Sequence, residues 1–300
     1  MPERGLRCGA SLRPIILGVI IFLVCGLMLL AIIISRRAPG LNFGIQTDWY
    51  ISEKLMEKRF KPLADYLAEE IGMPINIRQV LEENKIIEEL GRGTIDIAYV
   101  SPSVYIQGHF KYGVRPILAA LNAGSPTYKC IIAACKDSDI DKIEDIRGRS
   151  FAFGHRLSES TWLIPRAMLA DAGIRLEELR EHACLGTDPD VAMAIINKRF
   201  DAGAVKEAIA HRFKNKGLKF IKISAAFPEY MICVNKDFDP RLAEKIVNAI
   251  LRLDYDHPGY RKILTSVEPY FTGFVRARDE NYEVVRQMHK IVYGFDYHKE

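Results

Sequence analysis

The sequence lacks the residue patterns of metal sites, redox centres and common catalytic machinery. It contains six cysteines and seven histidines in 300 residues. No two cysteines have the C-x-x-C spacing of a zinc or redox site, and no two histidines form an H-x-x-x-H or H-x-H pair. Neither a G-x-S-x-G motif nor a Walker loop is present. We therefore expect no metal, no cofactor and no enzymatic turnover.

The cysteines that follow residue 40 also offer no short-range disulfide. Cys130 and Cys135 point to opposite faces if they share one strand, because side chains alternate along a strand. We expect these cysteines to be small buried residues, with a long-range disulfide outside the cytoplasm as the alternative. The residues concerned are Cys130, Cys135, Cys184 and Cys233.

A basic surplus is missing from the main part of the chain. The whole sequence has 42 Lys and Arg against 38 Asp and Glu, a formal net charge of +4. Residues 1–40 contain five Arg and one Glu, so residues 41–300 carry 37 residues of each sign. Proteins that bind nucleic acid normally carry a basic surplus in the binding domain. We therefore expect no nucleic-acid partner.

A long apolar run is present near the N-terminus. Residues 15–34 are uncharged and apolar, and a helix of this length spans a bilayer. Arg36 and Arg37 follow the run at the point where a signal-peptide cleavage site needs small residues. Three arginines before the run against two after it favour a cytoplasmic N-terminus. We therefore expect residues 1–40 to be an uncleaved membrane anchor, with the remaining chain in the periplasm or outside the cell.

Beyond residue 40, short apolar strands alternate with helical segments in two successive units. This alternation predicts an α/β fold with parallel, doubly wound sheets. Two such units in residues 41–300 predict two lobes joined by crossovers near residues 124–130 and 224–232. Lobe one is then built from residues 41–126 and 228–300, and lobe two from residues 127–227.

The stretch from Asp145 to Ala170 gives the strongest indication of a binding site. A predicted strand over residues 150–153 leads into a polar loop, and a helix is expected to begin near Thr161. A loop that opens a helix presents free backbone N–H groups to an anion. Ser158, Ser160 and Thr161 add three hydroxyl groups, whereas helix capping alone requires only one. We interpret this segment as an anion-binding turn.

Other candidate binding residues also follow predicted strands. In open α/β sheets, ligands bind beyond the carboxyl ends of the strands. His155 could donate a hydrogen bond to a ligand or be an ordinary loop residue, and Tyr50 could form a wall of the cleft or pack between the lobes. The remaining candidates are Ser101 and Ser103 at one strand end and Lys206 and Glu207 at another.

Several motifs in this order resemble the phosphonate/phosphate-type substrate-binding proteins of ABC transporters, within the superfamily of type II periplasmic binding proteins. The resemblance covers nearly all of residues 41–290. It is carried by Asn42-Phe43-Gly44-Ile45, by Gly93-Thr94-Ile95-Asp96-Ile97-Ala98, by Phe151 to Pro165 and by Asp201-Ala202-Gly203-Ala204-Val205. The resemblance implies a Venus-flytrap fold with a ligand cleft between two lobes. It also implies an oxyanion-binding turn at Ser158, Glu159, Ser160 and Thr161.

Glu159 is the clearest departure from the family pattern, because a hydroxyl residue is usual there and a carboxylate repels an anion. Thr161 stands where the family has glycine, and Lys206 where it commonly has asparagine. We expect Glu159 to turn outward and pair with Arg156 or Lys206. Alternatively, Glu159 faces the cleft and binds an amine of the ligand.

The leading functional hypothesis is a membrane-anchored, extracytoplasmic solute-binding protein. It would capture a small anionic, phosphate- or phosphonate-like ligand and deliver it to an ABC permease. One alternative is a solute sensor of the same fold that signals to a membrane partner. A second alternative is an enzyme on the same fold, which the missing catalytic motifs disfavour.

Overall fold

The computed structural model describes residues 40–47 and 51–298, and residues 41–300 belong to one compact unit. Within the described ranges, no helix has both the length and the apolar character needed to cross a membrane. The anchor expected at residues 15–34 lies outside the described residues, as does the candidate binding residue Tyr50.

The described residues form thirteen strands and nine α-helices. In chain order the strands are β1 (Leu41–Gln46), β2 (Ile75–Val80), β3 (Ile97–Val100), β4 (Arg115–Asn122), β5 (Thr127–Tyr128), β6 (Cys130–Cys135), β7 (Ser150–Phe153), β8 (Glu181–Cys184), β9 (Ala202–Lys206), β10 (Leu218–Ile223), β11 (Phe227–Pro228), β12 (Met231–Val234) and β13 (Phe271–Arg276). The helices are α1 (Glu53–Ile71), α2 (Glu83–Gly91), α3 (Pro102–Tyr112), α4 (Ile164–Asp171), α5 (Asp188–Ile196), α6 (Glu207–Lys214), α7 (Pro240–Leu251), α8 (Pro258–Val267) and α9 (Glu283–Tyr293).

The strands are distributed over two large sheets and one small ribbon. The six-stranded sheet has the order β13-β4-β12-β3-β1-β2, so it draws strands from both ends of the 41–300 segment. The five-stranded sheet has the order β10-β6-β9-β7-β8 and comes from one continuous segment. Strands β5 and β11 pair in antiparallel fashion as a separate ribbon where the chain crosses between the large sheets.

Both large sheets are mixed, so the expectation of purely parallel sheets is wrong. Strands β1, β2 and β3 are parallel, and so are β7, β8 and β9. However, β12 runs antiparallel to both β3 and β4, and β6 runs antiparallel to β9 and β10. Strands β6 and β12 directly follow the two crossings, where the chain enters each sheet from the ribbon instead of from a crossover helix. Strand β13, which follows α8, also runs antiparallel to its neighbour β4.

The ends of helix α3 are fixed by local signals in the sequence. Ser101 caps α3 with its side chain, Pro102 is the first residue of that helix, and Gly113 ends it at a φ of 73°. Pro at the first position and Gly after the last are the usual ends of a helix. The cap at Ser101 places the start of α3 directly beyond the carboxyl end of β3.

The core consists of apolar side chains on both faces of each sheet. Strands β3, β6, β7 and β12 are buried at every position. The four cysteines of the described residues are free; three of them are buried, as expected, whereas Cys184 on the edge strand β8 is exposed. Helix α9 packs on both α3 and α4, so the C-terminal helix contacts elements that follow strands of each large sheet.

Gly203 gives a direct test of packing in the five-stranded sheet. A Cβ atom at this position would lie 2.7 Å from the Ala152 carbonyl oxygen and 2.9 Å from a Val191 methyl group. Because the clash involves backbone of the neighbouring strand, we expect Gly203→Ala to lower the free energy of unfolding by about 1–3 kcal/mol. Denaturant titration of the variant measures this change.

Gly108→Ala is the matched control for Gly203→Ala. Gly108 lies inside α3, and an added Cβ would come no closer than 3.2 Å, to a Val114 methyl group. Because alanine favours a helix over glycine by about 1 kcal/mol, Gly108→Ala should cost little or stabilise the protein. Equal destabilisation by the two variants would contradict the packing account of Gly203.

Candidate functional site

A cavity of about 360 Å³ lies between the two large sheets. It receives residues from the loops that follow the carboxyl ends of β3, β7, β8 and β9, and from the segment between β11 and β12. Its described lining consists of Ser101, Tyr128, His155, Leu157, Ser158, Glu159, Ser160, Thr161, Gly186, Thr187, Asp188, Pro189, Lys206, Ile209, Glu229 and Tyr230.

Ser158, Ser160 and Thr161 form a compact group of hydroxyls, which we call the hydroxyl turn (residues 158–161). Ser158 caps the helical segment: its Oγ accepts a hydrogen bond from the Thr161 N–H at 3.3 Å and lies 3.2 Å from Ser160 Oγ. The segment begins as a π-helical turn over Glu159–Leu163 and continues as α4. Hydroxyls and the N–H groups of a helix start are suited to an anionic group.

Gly154 determines how the hydroxyl turn lies against β7. The Gly154 N–H donates to the Thr161 carbonyl oxygen at 3.1 Å. A Cβ atom at position 154 would lie 2.2 Å from Thr161 Oγ1, so only glycine leaves room for this side chain. Thr161 is consequently 1% exposed, although it still lines the cavity. The turn is therefore held by packing as well as by capping.

Glu159 faces inward, which contradicts the expectation that it turns outward and pairs with Arg156 or Lys206. Its side chain is buried, and its Oε1 accepts a hydrogen bond from the Ser103 N–H at 2.7 Å. Ser103 is in the first turn of α3, where backbone N–H groups have no partner within the helix. Arg156 instead lies over the ring of Trp162. Burial raises the pKa of Glu159 to about 8, although the Ser103 hydrogen bond opposes the shift.

Lys206 does not present a free cation to the cavity. Its Nζ lies 2.8 Å from Oε1 of Glu229, a side chain that is only 5% exposed. The same Nζ is 4.0 Å from the ring centre of Tyr128, which is a favourable position for a cation. The positive charge of Lys206 is therefore balanced within the cavity wall.

Asp188 adds another carboxyl group to the wall. It is the first residue of α5 and accepts a hydrogen bond from the backbone N–H of Lys206. Burial raises the pKa of Asp188, while the N–H and the charge of Lys206 act in the opposite direction. With Glu159 and Glu229, the cavity contains three carboxyl groups and one lysine among its described lining residues.

Most of the site residues expected from the sequence meet in this cavity. Ser103 lies instead in an adjoining cavity of about 60 Å³, together with Glu159 and His289. Glu207 begins α6 and lies 3.8 Å from His211, and it is not among the described lining residues. The expected residues that line the larger cavity are Ser101, His155, Ser158, Glu159, Ser160, Thr161 and Lys206.

Several side chains that line the cavity were not among the site residues expected from the sequence. Thr187 and Asp188 follow the end of β8, so the rule that located the other strand-end loops could have found them. Tyr128, Glu229 and Tyr230 belong to the crossings between the sheets. Tyr128 follows Gly124 in a segment that matches the family pattern but indicates no binding role, and no motif includes Glu229 or Tyr230. Tyr230 stacks on Tyr99 at a ring distance of 5.2 Å.

Comparison with known proteins places the chain in a family. The profile described as "ABC transporter, phosphonate, periplasmic substrate-binding protein" matches residues 50–282. The probable ABC transporter phosphite binding protein PhnD1 of Prochlorococcus marinus (strain MIT 9301) is 21% identical over 262 residues. That alignment covers 80% of this chain and 87% of PhnD1.

Solved structures show the same fold at low sequence identity. PhnD1 of Prochlorococcus marinus, in complex with methylphosphonate, superposes with a TM-score of 0.66 and 17% identity, covering 85% of this chain and 98% of the other. XAC2383 from Xanthomonas citri, bound to ATP, gives a TM-score of 0.71 and 17% identity, with coverages of 86% and 98%.

A third structure comes from Pseudomonas aeruginosa: the binding protein component PA3383 of an ABC phosphonate transporter. It gives a TM-score of 0.64 and 18% identity, covering 85% of this chain and 87% of PA3383. These likenesses confirm the two-lobed α/β fold. The family match confirms the solute-binding function of the leading hypothesis over the sensor alternative, and the chain belongs to the family of phosphonate-type periplasmic substrate-binding proteins of ABC transporters.

Proposed function

We propose that this chain captures a small phosphonate-type anion in the cavity between the lobes and delivers it to an ABC permease, without chemical turnover. The observation that carries the proposal is the hydroxyl turn, whose three hydroxyls line a cavity bounded by loops of both sheets. A phosphonate presents several acceptor oxygens, which suit hydroxyl and backbone N–H donors. Family membership supports capture rather than catalysis.

A phosphonate that also carries an amine is the second candidate ligand. Three carboxyl groups and one lysine line the cavity, and the lysine is paired with Glu229. A ligand with two negative charges and no positive charge would be repelled by ionised carboxylates. An ammonium group beside Asp188 or Glu229 would offset this repulsion, while the anionic group occupies the hydroxyl turn.

We also propose that capture works by closure of two lobes, the first formed by residues 41–126 and 228–300 and the second by residues 127–227. The chain passes between the large sheets twice, and the β5–β11 ribbon joins the two passages. Two connecting segments permit hinge closure around a ligand.

Replacing Ser160 tests the hydroxyl turn. Ser160→Ala removes one donor to an anionic oxygen, and hydrogen bonds to charged groups are worth about 1.5–3 kcal/mol. We therefore expect the Kd for methylphosphonate to rise by about 10- to 100-fold in isothermal titration calorimetry. Ser138→Ala is the control, because Ser138 Oγ is buried without a hydrogen-bond partner and lines none of the cavities described here.

Phosphite, an aminoalkylphosphonate and methanesulfonate are compared with methylphosphonate by their effect on the stability of the 41–300 fragment. A true ligand at 100 times its Kd should raise the free energy of unfolding by about 2.7 kcal/mol. Preference for the aminoalkylphosphonate, lost in Asp188→Asn, would select the second candidate. Failure of every phosphonate-type anion to bind the wild-type protein would refute the proposed function.

The pair Lys206–Glu229 gives a separate prediction. Lys206→Met leaves a buried carboxylate without its cation, and removing one member of such a pair is destabilising. Because Lys206 itself is partly exposed, we expect a loss of about 1–3 kcal/mol in the free energy of unfolding. The double variant Lys206→Met/Glu229→Gln should recover part of the loss, and no recovery in denaturant titration would contradict the pairing.

We further propose that residues 15–34 anchor the protein in the membrane. The support is the uncharged apolar run and the arginines that flank it. The full-length protein should fractionate with membranes and resist extraction by high salt. Intact-mass measurement should recover the N-terminal 40 residues, and an N-terminus near residue 38 would contradict the proposal.

A further inference from the structure

Glu159 connects the hydroxyl turn to the opposite side of the cleft. It is the first residue of the π-helical turn that leads into α4 and follows β7 of the five-stranded sheet. Its hydrogen-bond donor, the Ser103 N–H, belongs to α3, which follows β3 of the six-stranded sheet. A side chain of the ligand-binding turn is thus bonded to the helix that faces it.

A second contact extends this connection to the C-terminal helix. Ser103 Oγ lies 2.9 Å from Nε2 of His289 in α9, and both residues are buried. Burial lowers the pKa of His289 to about 4, so this imidazole is neutral at pH 7. Glu159, Ser103 and His289 together line the cavity of about 60 Å³ behind the hydroxyl turn.

The charged groups around Glu159 do not compensate a negative charge on it. Glu83 at the start of α2 and Glu229 in the second crossing are both carboxyl groups that disfavour its ionisation. The neighbouring cations have other partners, since Arg156 lies over Trp162 and Lys206 is paired with Glu229. The other titratable side chains that line the two cavities are Asp188, His155, Tyr128, Tyr230, Tyr293 and His289.

We propose that Glu159 is a proton-coupled positioning residue: its protonated carboxyl group joins the hydroxyl turn to the first turn of α3, so that capture of the ligand takes up a proton. The inference rests on the proposed function for its ligand. In an open cleft Glu159 would contact water and ionise near its ordinary pKa of 4.5. In the bridged cleft the buried group holds its proton up to about pH 8.

The sign of the pH dependence follows from this difference. A group whose pKa is raised on closure favours the closed form below its ordinary pKa, and this advantage is lost as pH rises through the raised pKa. Affinity should therefore fall by up to about tenfold per pH unit between pH 5 and pH 8, and become level above pH 8. Near pH 7, binding should take up as much as one proton.

The test compares wild type with Glu159→Gln by calorimetry with methylphosphonate from pH 5 to pH 9, in buffers of different ionisation enthalpy. Glutamine keeps an acceptor oxygen for the Ser103 N–H but cannot titrate. The ratio of the two affinities cancels the ionisation of the ligand itself. We expect the ratio of the wild-type affinity to the Glu159→Gln affinity to fall as the pH rises from 5 to 8. The extra proton uptake of wild type should be absent in Glu159→Gln. Glu144→Gln, at an exposed carboxyl away from both cavities, should behave as wild type.

Parallel pH profiles and equal proton uptake in wild type and Glu159→Gln would overturn the inference while leaving the proposed function intact. If neither protein binds any phosphonate-type anion, the proposed function fails, and the inference fails with it because no ligand then couples closure to the proton. Glu159→Thr, which also lacks the titrating group, provides the same comparison if Glu159→Gln does not fold.

Discussion

The antiparallel pairing of Thr127–Tyr128 with Phe227–Pro228 is the constraint on which the cleft depends. The chain leaves the six-stranded sheet beside the first of these strands and returns to it directly after the second. The ring of Tyr128 lies under the Lys206 ammonium group, and Glu229, which follows the ribbon, forms an ion pair with that ammonium group. The ribbon that joins the two sheets therefore also supplies one wall of the cavity.

The charge balance of this cavity explains why a carboxyl-rich wall is compatible with an anionic ligand. Lys206 is neutralised by Glu229, and the carboxyl groups of Asp188 and Glu159 have raised pKa values because they are buried. In the proposed site, attraction for an anion would therefore come mainly from hydroxyls and from N–H groups at a helix start, as these carry partial positive charge without a counterion.

The sequence was sufficient for the features that depend on neighbouring residues. The hydroxyl turn, the Ser101 cap with Pro102 and the strand-end position of Lys206 all follow from short segments in which strand, loop and helix signals are adjacent. These local signals, with the motif order, located most of the cavity wall and the two-lobed α/β fold.

The sequence was insufficient for features that depend on contacts between residues far apart along the chain. The inward orientation of Glu159 depends on the free N–H of Ser103, which is 56 residues away. The roles of Glu229 and Tyr128 depend on the crossing geometry, and the antiparallel entry of β12 depends on the path by which the chain returns. Local periodicity contains no information about any of these.

The position of β12 also has a consequence for the order in which the protein can fold. This strand lies between β3 and β4 in the middle of the six-stranded sheet, yet it begins only at Met231. During synthesis, the edges of β3 and β4 that pair with β12 stay unpaired until more than one hundred further residues have been made. The five-stranded sheet comes from one continuous segment and can form first. Exposed edges invite pairing with other chains, so the interval before Met231 emerges is the time at which the nascent chain is most vulnerable to aggregation.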